Sequence, residues 1–204
     1  PTSVHVATLP KVEGPISLET GSPILALAFV GEILCAGDSE GRIHLWDGAK
    51  KLATGGVHTH HKGAIRALVA VGAELASVGD DGVVRIASVL ASGLSSSRER
   101  SLSKRSLRAV TFDEGLGAIA VGGDDGIVRS FAMESDASEV REMDMGASVT
   151  ALTFLGDGRI AAGCADGSVR VAFLEGAAEP EERSKDAAHE AAVRFLVYSA
   201  QLYD

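Results

Sequence analysis

Residues 76–88, ASVGDDGVVRIAS, read as a strand, a tight acidic turn, and a second strand in which branched residues flank an arginine. The turn decides the reading. Gly adopts positive φ at no steric cost and Asp tolerates the position beside it, so Asp-Asp-Gly between apolar runs marks a hairpin. The pattern recurs as CAGDSEGRIHLWD (35–47), AVGGDDGIVRSFA (120–132) and AAGCADGSVRVAF (161–173). Its closing glycines are Gly41, Gly82, Gly126 and Gly167, at intervals of 41, 44 and 41 residues.

A second marker precedes each turn: PILAL (23–27), AIRAL (64–68), SLRAV (106–110), SVTAL (148–152) and AVRFL (192–196). Its branched leaders are Ile24, Ile65, Leu107, Val149 and Val193, spaced by 41, 42, 42 and 44 residues. Two independent markers in one phase establish a repeat of about 42 residues. Within each unit a short apolar strand is followed by a second strand, the acidic turn, and a third strand such as Val84-Arg85-Ile86. A more polar fourth strand follows, as in KLATGG or SEVREMD, and suits an edge that meets solvent.

Four strands per unit of this length resemble the WD-repeat β-propeller. The resemblance covers essentially the whole chain, and the naming dipeptide occurs once, as Trp46-Asp47. It implies an all-β propeller of four-stranded blades at about 21–60, 61–104, 105–146 and 147–188 within a single domain. Terminal strands would lie in 1–20 and 189–204. SVHVATL (3–9) matches SVRVAFL (168–174), so the chain begins in the manner of a third strand. The two ends then supply one split blade, either closing a five-bladed ring or marking part of a larger propeller.

The cluster HTHHKG (58–63) raises a metal site as one reading, but a zinc centre needs three or four ligands with support behind them. The resemblance implies another role: a His four residues before the first strand bonds inward to a strand-two hydroxyl and a turn acid. His61 and His189 hold that place, ahead of Ile65 and Val193; Thr20, Ser103 and Met145 hold it elsewhere. In the second unit a partial network would join His61, Ser77 and either Asp80 or Asp81. Asp125 and Asp166 are the corresponding turn acids of later units.

Composition narrows the function classes. The net charge of −9 disfavours direct, nonspecific nucleic-acid binding. Two distant cysteines, Cys35 and Cys164, make a poor disulfide framework and fit a reducing interior. No apolar run approaches the roughly 18 residues of a membrane span. GxSxG, GxxxxGK[ST], HExxH and CxxC are all absent from the sequence, and no catalytic, metal or cofactor site is expected.

Arg85, Arg129 and Arg170 share one register with His44; Arg66, Arg108 and Arg194 share another, in strand one. The latter set would make one rim basic. ASGLSSSRERSLSKR (91–105) reads as a projecting loop with an outer strand, and EGAAEPEERSKDAAHEAA (175–192) as an acidic connector. The resemblance implies a non-catalytic platform holding other proteins in an intracellular complex, cytoplasmic or nuclear. Docking is expected on the turn-side rim around Asp38, Arg42, Asp81, Asp125 and Asp166, or on the strand-one arginines. The alternatives are a ligand-binding or enzymatic propeller using its central channel, and an RNA-associated factor of ribosome assembly or splicing resting on Arg98, Arg100, Lys104 and Arg105.

Overall fold

The structure is a computed structural model that describes residues 3–6, 16–47, 52–133, 139–156, 158–173 and 191–197. Every regular element among them is a β-strand. The chain divides into two compact units, Pro1–Arg100 and Ser101–Asp204.

The first unit opens with a two-stranded antiparallel sheet of β1 (Ser3–Val6) and β2 (Ile16–Glu19). A four-stranded sheet follows, ordered β3 (Ile24–Val30), β4 (Ile33–Asp38), β5 (Arg42–Asp47), β6 (Leu52–Thr59). The next four-stranded sheet comprises β7 (Ile65–Val71), β8 (Glu74–Gly79), β9 (Val83–Leu90) and β10 (Gly93–Ser101). The second unit repeats the plan with β11 (Leu107–Asp113), β12 (Ala118–Gly123), β13 (Ile127–Ala132) and β14 (Arg141–Asp144). Its last described sheet holds β15 (Val149–Phe154), β16 (Arg159–Cys164) and β17 (Val169–Phe173). These sheets are the blades of a β-propeller fold, each an antiparallel meander.

Acidic turns carry the meanders: Gly41, Gly82, Gly126 and Gly167 all have φ between 71° and 85°. Adjacent blades in a unit stack face to face. In the first unit, Ala26, Ala28, Ile33, Cys35, Ile43 and Leu45 pack with Ile65, Leu68, Ala70 and Leu75 of the next blade. In the second, Ala109, Ala120 and Val128 pack with Val149, Leu152, Phe154, Ile160 and Ala162.

Each stack is keyed at one point. A methyl group placed on Gly37 would lie 2.5 Å from the Ile65 side chain, and one on Gly122 would lie 2.8 Å from Val149. The second strand thus offers a hole that the leader residue of the next blade fills. Gly163 and Val193 repeat the contact at 2.6 Å, although 192–196 runs without strand pairing among the described residues. Two bonds hold this segment expected as a strand: Val193 N–H to the Cys164 carbonyl at 3.1 Å, and Thr150 Oγ1 to the Val193 carbonyl.

The first strands share a bulge. Register shifts fall between Ile24 and Ala26, Ile65 and Ala67, Leu107 and Ala109, and Val149 and Ala151. Within residues 91–105, expected to be a projecting loop with an outer strand, Gly93–Ser101 form β10, an outer strand of nine residues that takes up most of the segment. His189, and nearly all of the acidic segment 175–192, lie outside the described residues.

Candidate rim of buried ion networks

The second blade holds the fullest network. His61 is buried, with Nε2 2.9 Å from Ser77 Oγ and Nδ1 2.9 Å from Asp81 Oδ1. Arg85 NH1 also approaches Nδ1, at 2.8 Å, and reaches Asp81 Oδ2 at 2.8 Å. A neutral ring that donates from Nδ1 to Asp81 and accepts the Ser77 hydroxyl at Nε2 satisfies both neighbours. Burial lowers the His61 pKa and favours that neutral form, although the Asp81 hydrogen bond opposes it. Burial alone would raise Asp81, but hydrogen bonds from His61, the Lys62 backbone and Arg85 hold it well below the usual carboxylate range.

Of the two candidate acids, Asp81 therefore joins the histidine, while Asp80 turns outward to Arg66. The Arg66 guanidinium grips Asp80 through Nε at 2.7 Å and NH2 at 2.8 Å. Arg108 grips Asp124 in the same two-pronged way, through Nε and through NH2 at 3.0 Å. Both arginines occupy the bulged position of their strands, where an unpaired residue is re-aimed toward the rim. The rim expected to be basic is thus charge-matched at Arg66 and Arg108; Arg194 is exposed.

A pairing that the repeat spacing contained, among arginines read in the sequence only as sharing a register, is Asp to Arg at i,i+4 across the turn. It joins Asp81–Arg85, Asp125–Arg129 at 2.6 Å and Asp166–Arg170 at 2.9 Å. Arg85 and Arg129 also reach the fourth strand, at Glu99 (3.1 Å) and Glu142 (2.8 Å). Each of these two links the turn to the outer edge of its sheet. Where His61 has no counterpart, other groups serve the acid: Ser103 Oγ donates to Asp125 at 2.8 Å, and Ser168 Oγ to Asp166 at 2.6 Å. Met145 takes the histidine's place in the fourth blade and is buried in the apolar core.

The first blade permutes the scheme. Asp38 stands two residues earlier than the acids of other turns, and its side chain is fully buried. It accepts from Ser22 Oγ (2.6 Å), Arg42 Nε (2.8 Å), two backbone N–H groups (2.9 Å each) and His44 Nε2 (2.9 Å). Burial raises its pKa, and these donors outweigh that, leaving the carboxyl far below its ordinary value. A carboxylate so enclosed presents nothing to a partner, so Asp38 leaves the expected docking rim. Asp81 and Asp125, at 8% and 17% side-chain exposure, are nearly as enclosed, whereas Asp166 is 42% exposed. Trp46 is buried and stacks on His44, with centroids 5.8 Å apart.

Three further groups bear on chemistry. His60 meets His61 edge-on and has a buried Nε2 without a hydrogen-bond partner. Burial, with His61 and Arg85 adding to it, brings its pKa down to about 4. Both cysteines are free and buried; burial pushes Cys35 up to about 12 and raises Cys164 as well. Among the described residues, no group of three His, Cys, Asp or Glu side chains is arranged to hold a metal ion.

The WD domain, G-beta repeat family matches residues 140–171. No curated protein matches the sequence. Among solved structures, the chain is similar to the computationally designed Ika8 protein (24% identity, TM-score 0.70), covering 89% of this chain and 54% of that one. It is similar to the designed Ika4 protein (25%, TM-score 0.66), with 76% and 92% covered. A chain of the mitotic checkpoint complex aligns at 19% identity and TM-score 0.79, over 95% of this chain and 61% of that one. The chain thus spans about half the length of Ika8, and these likenesses speak to the fold.

Proposed function

Because the chain is built of WD-type repeats folded as propeller blades, we propose that it is a non-catalytic scaffold holding other proteins within a multiprotein complex. One observation carries this reading: the ionisable groups that stand out in the sequence are engaged with one another inside the blades. Asp38, Asp81 and Asp125 are enclosed by donors, and the thiols are buried in their neutral form. What remains for partners is a rigid rim of charge pairs, shaped by loop tips. Docking is assigned to the exposed part of that rim, at Arg66–Asp80, Arg108–Asp124 and Asp166. The free cysteines support work inside the cell.

Association with RNA has less to rest on. Arg98 pairs with Glu74 at 2.8 Å, and Arg105 donates to the Asp124 carbonyl at 3.3 Å. Co-purification from the native source, with mass spectrometry, tests the scaffold. Stoichiometric protein partners that are lost on Arg66→Glu or Asp166→Lys, with unfolding unchanged, are expected. A partner-free protein that turns over a small molecule would refute it.

A further inference from the structure

The repeat makes two exposed apolar surfaces among the described residues directly comparable. Leu27 and Phe29 of β3 stand where Leu152 and Phe154 stand in β15, with identical residue types at both positions. Leu152 and Phe154 are 8% and 7% exposed, because the preceding blade covers them through residues that include Ala109. Leu27 and Phe29 are 52% and 54% exposed. Their own sheet is covered elsewhere, where Leu18 and Ile24 pack on Leu34, Ala36 and Trp46, so the open patch is the inner strand. It is a blade face lacking its cover.

The missing cover has a described counterpart in the chain. Val193 fills the hole at Gly163 as Ile65 fills Gly37, so Val193 stands in the place of a first-strand leader and sets the register of 193–197. In that register Phe195 and Val197 correspond to Ala26 and Ala28, residues that in the first blade pack against Leu68 and Ala70 of its neighbour. Leu68 and Ala70 are in turn the counterparts of Leu27 and Phe29. Phe195 and Val197 are 86% and 90% exposed. One chain therefore carries both halves of a blade–blade contact, and both are open.

We propose that these halves meet between two copies: Phe195 and Val197 of one copy seat on Leu27 and Phe29 of another. The contact continues the stacking already present between the blades of each unit. Its two surfaces differ, so association is head-to-tail and extends copy by copy, into a ring where the rotation closes and into an open filament where it does not. This property is separate from the binding of other proteins on the rim.

The test is sedimentation equilibrium of the 204-residue chain from about 1 to 100 µM, the range of ordinary weak protein contacts. Mass rising above the 21.0 kDa of one chain is expected. Leu27→Asp/Phe29→Asp and Phe195→Asp/Val197→Asp each remove one surface, and each alone should weaken association at least about 30-fold. Mixed together, they should restore association but stop at one-to-one pairs, since each retains a single working surface. A monomer at every concentration, association that ignores both variants, or a mixture that fails to pair overturns the proposal.

A cysteine pair keeps the test decisive should the aspartates unfold the chain. Leu27→Cys mixed with Val197→Cys should oxidise to a disulfide-linked pair, the native thiols being buried. No cross-link between the two chains overturns the proposal. So does a Leu27→Cys/Val197→Cys double variant that cross-links only within a single chain.

Discussion

His61 shows how much one side chain holds when both ring nitrogens are committed. Replacing it with Ala strips Ser77 and Asp81 of a partner in a buried setting, and a loss of about 2–3 kcal/mol in urea unfolding is expected. The histidines also set an acid limb. An unfolded His titrates near about 6.5, while folded His61 lies lower and folded His60 lies at about 4. The unfolded chain therefore binds protons first as pH falls. Stability should be intact above about pH 6.5 and decline toward pH 4, read as the midpoint of thermal unfolding. His60→Leu removes an unsatisfied buried nitrogen and should flatten that limb, with little loss of stability at pH 7. An unchanged pH profile in that variant would place the titration elsewhere.

At the scale of the strand, the hole-and-leader contact makes a sharp prediction. Gly122→Ala forces a methyl group to within 2.8 Å of Val149 and should cost about 1–3 kcal/mol. Adding Val149→Ala makes room, so the double variant should lose less than the sum of the singles. Arg129 offers a second comparison by chemical denaturation. Arg129→Met abandons Asp125 in an enclosed site and should cost about 3 kcal/mol. Glu142→Gln, at a carboxylate 58% exposed, should cost under about 1 kcal/mol.

What could be read in advance follows the same division. Strand order and turn positions were legible because glycine and acid recur at fixed spacing. The recurring bulge was not, since Arg66 and Arg108 look like ordinary strand residues until a register shift aims them at Asp80 and Asp124. Nor was Asp38, whose two-residue displacement becomes meaningful only once Ser22, Arg42 and His44 converge on it. The polar run at 93–101 read partly as a loop because its side chains are those of solvent, although its backbone pairs with β9. The fold is thus open to a periodicity argument, whereas the partnerships inside it arise only where the folded chain brings distant residues together.

For the molecule as a whole, the charge of −9 and the pairing of Arg66, Arg98, Arg105 and Arg108 predict behaviour toward nucleic acid. Fluorescence anisotropy with single-stranded RNA at about 150 mM salt should show no saturable binding. Tight binding that weakens steeply with salt would revive the RNA reading. The glycine hole has a last consequence, which concerns inheritance rather than stability. Hole and leader travel together in the stretches of about 42 residues that carry Gly37, Gly122 and Gly163. Doubling a stretch that carries the glycine leaves the new junction with a leader facing a hole. Copy number can therefore grow by such units without that junction being reinvented. The unit with Val78 in place of the glycine is the exception, since it offers no such hole.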